Sequence, residues 1–400
     1  MQPRVSPSRI ADSAAAVPHS RVRELADLAM GMPGVLKLYF GESNQPTPDF
    51  IKEAAVQAMA DGYTFYTENA GLPSLREAIA RYYAALHGVA LDPSSEIAVT
   101  ASGVQALSVA LRCLVDPGDE ALVLTPAWPN GSSILTMAHA QVHQIAQPLL
   151  TGGASRARRF GVDYEAMERA VTSRTRLLLY TSPSNPLGWV ATLEDQDRLL
   201  NFARRYGLWL VADEVYERLS YSEPVVPSIL RKCDRQDAVV VVQSFSKSYC
   251  MTGWRLGWLA GRKDLITRAA QLNEFQVSCP VAFVQKAAET ALADGEPFVR
   301  GLLAQLAANR DLCLRALRAM PGVTVPEPEG AFYLFPSMDA ARDSMAFCKR
   351  LLLETKVGLA PGSAFGAGGE GSVRICYASD RATLEEAMSR LGRFLAAGFV

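Results

Sequence analysis

Four hundred residues with 49% hydrophobic content are enough for a substantial core and for two domains in one body. With 40 basic and 41 acidic residues the net charge is −1, so no excess of cations points to nucleic acid or an anionic membrane, and a small-molecule ligand becomes the default. The seven cysteines are scattered and odd in number, with no CxxC pair; they argue against a disulfide framework and a zinc site and read as reduced thiols of a cytoplasmic protein.

The first thirty or so residues read as an arm followed by a short helix. MQPRVSPSRIADSAAAVPHS has no apolar core of signal-peptide length, and no run approaches the roughly 20 apolar residues that span a bilayer. Between about residues 70 and 265, helical patterns alternate with short apolar runs: EIAVT (96–100), EALVLTP (120–126), AQVHQIA (140–146), RLLLYTSP (176–183), LWLVADEVY (208–216), AVVVVQSFS (238–246) and RLGWLAG (255–261). Several are continuously apolar and β-branched, as strands buried on both faces of a mainly parallel sheet must be. Helices are expected over LPSLREAIARYYAALHG, VQALSVALRCLV and LEDQDRLLNFARRYG, the last capped by Thr192 and closed by Gly207. A long helical pattern over about 281–319 then leads to three strand-like runs, VTVPEPEGAFYLFP, VGLAPGSAFG and GSVRICYA, with helices between and after them: a smaller α+β unit.

In a parallel sheet the ligand lies outside the carboxyl ends of the strands, so polar residues just after the apolar runs carry the argument. Ser102 and Gly103 open a helix whose free N–H groups suit an anion, although such a turn is often only a tight connection. It is neither a GxxxxGK[ST] loop nor a GxGxxG fingerprint. Trp128, in AWPNG, is either packing or a wall for a planar ring. Asn185, in SNPLG, sits in a turn from which its amide can donate to a ligand oxygen. Asp213 ends an apolar strand, where a carboxylate needs a cation or strong donors, and Glu214 and Tyr216 would leave the strand at the same edge. Lys247 lies between Ser246 and Ser248 in SFSKSYCMTGWRLGW; near apolar surface and other cations its pKa falls, and its free amine can attack a carbonyl to form an imine. Ser244, Ser246 and Arg255 supply hydroxyls and a fixed cation for a phosphate. Phosphate donors, a stacking aromatic, an acid for a ring nitrogen and an imine-forming lysine together describe a site for pyridoxal 5′-phosphate.

These stretches, with YTENAGLPSLREAIA, PAWP and VRICYA, resemble the class I/II aminotransferases, fold-type I pyridoxal-phosphate enzymes of the aspartate aminotransferase-like branch, in the family's order over essentially the whole chain. The resemblance implies an α/β fold with a three-layer, mainly parallel seven-stranded sheet and a smaller α+β domain. The expected division is an arm and part of the small domain over 1–45, a large cofactor domain over 46–285, and a small domain over 286–400. It further implies that Lys247 forms the internal aldimine and moves the proton between the substrate α-carbon and the cofactor. Asp213 would hold the pyridinium proton, and Tyr216 and Asn185 the phenolic oxygen. Ser102, Gly103, the Val104 backbone, Ser244, Ser246 and Arg255 would hold the phosphate, with Trp128 on the ring. Tyr66 would reach the phosphate of a neighbouring subunit, implying a homodimer with shared sites. Arg374 would grip the substrate α-carboxylate, with Gly41 and Asn185 beside it, and closure of an interdomain cleft would follow substrate binding.

The implied reaction moves the amino group of an L-amino acid to a 2-oxo acid, 2-oxoglutarate or pyruvate, by a ping-pong mechanism. A β-lyase acting on a cysteine conjugate is the alternative, since the same motifs serve both. A DNA-binding regulator loses support because about forty residues ahead of the family region are too few for a helix-turn-helix domain. Two departures matter: at the phosphate turn Val104 stands where the family often has a basic or polar side chain, so only its backbone N–H can help, and nearer the substrate Gly131 and Ser132 stand where an aromatic is usual, which leaves side-chain preference open. No arginine is assignable from the motifs to a distal carboxylate, so strict aspartate specificity does not follow.

Overall fold

The computed structural model describes residues 9–151 and 158–398; residues 1–8 of the expected arm lie outside that range. Each of the seven apolar runs forms a strand: β1 Ile97–Thr100, β2 Glu120–Thr125, β3 Gln141–Ala146, β4 Thr175–Thr181, β5 Trp209–Asp213, β6 Val239–Ser244 and β7 Gly257–Gly261. They make one sheet in the order β1-β7-β6-β5-β4-β2-β3. The pairs from β6 to β3 are parallel, whereas β7 runs antiparallel to both its neighbours, Gly257 lying opposite Thr100 on one side and Ser244 on the other. The expected mainly parallel α/β sheet is therefore present, with one reversed strand.

Why β6 reads as an unbroken run of valines is visible in its packing. Val239 and Val241 enter one core cluster and Val240 and Val242 another, because successive side chains point to opposite faces and both faces are covered. The Gly103–Leu114 helix buries Ala106, Leu107, Ala110 and Leu111 in the same cluster as Val240 and Val242. Helix Leu193–Tyr206 starts on a capping box, with Thr192 accepting from the Asp195 N–H and Asp195 from the Thr192 N–H, and it ends on Gly207 at φ 65°.

The long pattern over 281–319 resolves into two helices, Ala282–Asp294 and Glu296–Arg318. Pro297, near the start of the second, has no N–H to continue the first, and a side chain at Gly295 would collide with the Ala291 carbonyl oxygen and the Tyr249 ring. Beyond them, Val373–Cys376 is the middle of three short antiparallel strands, between Tyr333–Leu334 and Ala360–Pro361. The start of the chain joins this unit: Leu36–Lys37 pairs in parallel with Val357–Gly358, and helix Arg21–Ala29, buried through Val22, Leu25, Ala26 and Ala29, is tied by a 2.6 Å ion pair from Glu24 to Lys349. Among the described residues no helix is long and apolar enough to cross a membrane.

Candidate functional site

The carboxyl ends of β1, β2, β4, β5 and β6 lie at one edge of the sheet and face the C-terminal unit. A cavity of about 510 Å³ opens there. Eleven of the residues expected at a site line it: Gly41, Gly103, Val104, Trp128, Asn185, Asp213, Tyr216, Ser244, Ser246, Lys247 and Arg255. Ser102, Arg374 and Tyr66 are the exceptions. Ser102 sits one residue behind, its Oγ accepting from the Gln105 N–H at 3.1 Å and so capping the Gly103–Leu114 helix. Arg374 is fully buried behind the wall formed by Asn185 and Tyr333. Tyr66 is 88% exposed and turns its ring to solvent.

At the floor, the N-terminus of the Gly103–Leu114 helix meets the end of β6. A side chain on Gly103 would stand 3.1 Å from Ser244 Cβ, and one on Gly257 would meet the Gln243 carbonyl oxygen at 2.5 Å and the Gly103 nitrogen at 2.6 Å, so glycine is what lets the two backbones approach. Ser244 Oγ donates to Ser246 Oγ at 2.9 Å, and Arg255, at φ 53° after the Thr252–Trp254 turn, donates to the Thr252 carbonyl at 2.7 Å. Helix N–H groups, two hydroxyls and a guanidinium thus face one space, the donor set for a dianion.

Lys247 crosses the cavity and donates from Nζ to the Gly41 carbonyl at 2.7 Å, lying 5.8 Å from the centre of the Tyr216 ring. Burial pulls its pKa down to about 8; Arg374 and Arg255 act in the same direction, and Cys376 and Glu42 oppose them. Asp213 is the reverse case: burial pushes its carboxyl up to about 6 against the Val215 N–H and the Lys247 charge. Both groups are held near the middle of the pH scale by desolvation, as proton-handling groups in clefts are.

Glu214 corrects the sequence expectation. Rather than leaving the strand beside Asp213 and Tyr216, it points to the other face, because adjacent strand residues alternate. There its Oε1 accepts from the Ile229 N–H at 2.8 Å, and it packs with Glu217 and His87, whose Nε2 lies 2.9 Å from Glu217 Oε2. None of these three lines the cavity.

Arg374 is the most unusual charge in the molecule. It makes no ion pair within 4.0 Å among the described residues; Nη1 donates to Asn185 Oδ1 at 2.9 Å, Nη2 to the Tyr39 carbonyl, and Nε is buried without a partner. Its guanidinium lies over Tyr333, Phe365 and Trp128, 4.6, 4.9 and 5.7 Å from the ring centres. Such a cation calls for an anion. Two residues around it were not legible as site residues in the sequence. Tyr333 lines the cavity and hydrogen-bonds Tyr216, oxygen to oxygen at 2.7 Å, yet in EGAFYLFP it looks like any core aromatic. Phe365 brings its carbonyl to the Ala127 N–H at 2.9 Å and so fixes the Trp128 loop to the C-terminal unit.

Comparison with known proteins places the chain in a family. Residues 33–391 match the family model for aminotransferase class I and II. An aspartate aminotransferase of Pyrococcus abyssi is 35% identical over 379 residues, covering 94% of this chain and 95% of that protein. An aromatic-amino-acid aminotransferase of Thermococcus litoralis is 33% identical over 379 residues, at 94% and 95% coverage. The structure of Thermus thermophilus aspartate aminotransferase with maleate superposes at a TM-score of 0.88, with 31% identity over 96% of this chain and 99% of that one. The chain belongs to the class I and II aminotransferases, pyridoxal-phosphate-dependent enzymes of fold type I.

Proposed function

We propose that this enzyme transfers the amino group of an L-amino acid to a 2-oxo acid in two half-reactions, using pyridoxal 5′-phosphate held in the cavity at the carboxyl edge of the sheet. The observation that carries the proposal is the shared space itself: an amine of lowered pKa, a buried acid and an anion cradle line one cavity of about 510 Å³, with the Arg374 guanidinium buried behind its Asn185–Tyr333 wall. The cradle suits the phosphate, since its glycines leave backbone N–H groups uncovered and its hydroxyls and Arg255 add charge-assisted donors.

When bound, the cofactor supplies a carbonyl that condenses with amines and a ring that accepts an electron pair. The chain's residues do the rest. Gly103 and Val104 through their N–H groups, with Ser102, Ser244, Ser246 and Arg255, hold the phosphate. The Asp213 carboxylate holds a proton on the ring nitrogen, a partner that compensates its own desolvation. Asn185 and Tyr216 donate to the phenolic oxygen, and Trp128 covers the ring. Lys247 Nζ would be the amine that holds the cofactor's carbonyl carbon and the group that moves the proton at the substrate α-carbon; a pKa near 8 would let it serve as base and acid around neutrality. Arg374 grips the α-carboxylate beside Gly41, where a side chain would meet the Tyr333 hydroxyl at 2.5 Å, so only glycine leaves that approach open.

The proposal includes a cytoplasmic homodimer in which Tyr66 serves the neighbouring subunit's phosphate. Phe65, Tyr66 and Phe275 expose 82%, 88% and 83% of their surface, more than isolated aromatics ordinarily leave in water. Sedimentation at micromolar concentration should give a dimer; a fully active monomer would refute it. The division at 46 and 286 is proposed with it, the second boundary falling within helix Ala282–Asp294, and closure on substrate should lower the radius of gyration. An unchanged radius with saturating ligand argues against two moving bodies.

An absorbance spectrum tests the whole reading. A visible band that shifts to the near ultraviolet with an L-amino acid, and returns with a 2-oxo acid, is expected of the wild type and absent in Lys247→Ala. Pyruvate and ammonia accumulating without a 2-oxo acid requirement would replace transfer by elimination.

A further inference from the structure

The roles just proposed, on which this inference rests, leave one cavity cation unassigned. Three cationic residues line the cavity: Arg23, Lys247 and Arg255. Lys247 and Arg255 serve the cofactor, and Arg374 behind the wall serves the α-carboxylate. Of the acidic residues lining the space, Asp213 is engaged by the ring, and Glu42 accepts a hydrogen bond from Thr252 Oγ1 at 3.0 Å. Arg23 has no carboxylate within 4.0 Å among the described residues; its guanidinium carbon lies 5.9 Å from the centre of the Phe40 ring.

Its placement is specific. Ser20 Oγ accepts from the Arg23 N–H at 3.3 Å, the capping bond that sets the first turn of helix Arg21–Ala29, while Val22 and Leu25 on either side are buried in the core. Glu24 is taken by Lys349 at 2.6 Å and is unavailable to Arg23. The guanidinium therefore stands at the cavity wall, on an element attached to the C-terminal unit and facing the large domain. Phe40, Val104, Leu107 and Asn130, which carry no charge, line the same cavity. A substrate held by its α-carboxylate on Arg374 and by its α-carbon over Lys247 directs its side chain into what remains of this space.

We propose that Arg23 sets the side-chain preference by pairing with the distal carboxylate of a dicarboxylic amino acid or 2-oxo acid, with Phe40 supporting the guanidinium from below. This assigns the distal cation that the sequence motifs leave open. A planar fork suits a carboxylate, and closure of the C-terminal unit would tighten the pair by removing water.

The test uses the holoenzyme and two variants, Arg23→Met, which keeps the apolar stem over Phe40, and Arg23→Lys, which restores charge. Glutarate and butyrate, unreactive acids with and without a second carboxylate, are titrated calorimetrically, and 2-oxoglutarate and pyruvate are compared as acceptors with one donor. In Arg23→Met the preference for glutarate over butyrate, and the ratio of kcat/KM for 2-oxoglutarate over pyruvate, should each fall by about tenfold or more, the scale of one charge-assisted hydrogen bond. Arg23→Lys should recover part of both. Ratios that stay at the wild-type value, or a wild type that binds glutarate no better than butyrate, overturn the assignment. Absence of amino transfer in the wild type with every donor and acceptor would instead overturn the transferase reading, while the glutarate titration would still report on Arg23.

Discussion

Arg374 Nη1 donates to Asn185 Oδ1 at 2.9 Å, joining residues 189 positions apart across the two halves of the chain. Because the amide oxygen is spent on the guanidinium, the amide N–H groups are the part of Asn185 left to donate into the cavity. Arg374→Gln should keep the cofactor but lose its grip on substrate, raising KM and lowering kcat/KM by about a hundredfold or more, the scale of a buried charged pair left half made. Steady-state kinetics beside the cofactor spectrum check this; loss of the bound chromophore would show that Arg374 belongs to the cofactor.

Desolvation at Lys247 and Asp213 makes the stability of the cofactor-free protein depend on pH in two windows. Asp213 is raised from 3.8 to about 6, so the folded state binds more protons and stability falls as pH rises through that interval. Lys247 is lowered from 10.5 to about 8, so the unfolded state binds more protons and stability rises between pH 8 and 10.5. Denaturant titrations of the apoprotein should show both slopes, Asp213→Asn removing the acidic one and Lys247→Met the alkaline one. Slopes unchanged in the variants would mean that other groups control them.

Gly257→Ala should weaken cofactor retention more than any neighbouring surface change. Its Cβ would face the Gln243 carbonyl oxygen and the Gly103 nitrogen, backbone atoms that cannot rotate away, so β1 and β6 must separate where the phosphate is to be held. A cost of about 1–3 kcal/mol in stability, the usual range for overpacking, should accompany faster cofactor loss on dialysis. Wild-type retention would mean the cradle tolerates the spread.

Glu217 offers the opposite dissociation. It is buried with His87 Nε2 at 2.9 Å and the Tyr82 hydroxyl as partners, in the turn after β5, and does not line the cavity. Glu217→Ala leaves the imidazole uncompensated and should cost about 3–5 kcal/mol of stability. Activity per folded molecule should stay at the wild-type level, read from kcat normalised to bound cofactor.

Much of this architecture was legible because the strands are buried on both faces. Val239–Val242 could only be a central strand, and the residues following such runs, Asn185, Asp213 and Ser244 among them, could be weighed before any contact was known. The reversal of β7 was not legible: residues 245–256, which join it to β6, are about a dozen, the lower limit for a parallel crossover, so connection length alone does not set the strand's direction. Tyr333 and Phe365 were hidden, since an aromatic in a short strand carries no mark of whether it faces core or cavity. Arg23 was hidden for a different reason: its helix is sixty or more positions from the cavity's other walls except Phe40, Gly41 and Glu42, and only tertiary packing brings it there. Glu214 departs from its expected place because neighbours along a strand point to opposite faces.

With β7 lying between β1 and β6, the two sides of the anion cradle, Gly103 and Ser244, lie at the ends of strands that each pair with β7 and not with each other. Without β7 in place, no strand pairing would fix the spacing of the two sides, whatever the state of Asp213. A cofactor held across that spacing, as proposed, would bind only the sheet with β7 in place, and by mass action it would act as a clasp on that strand.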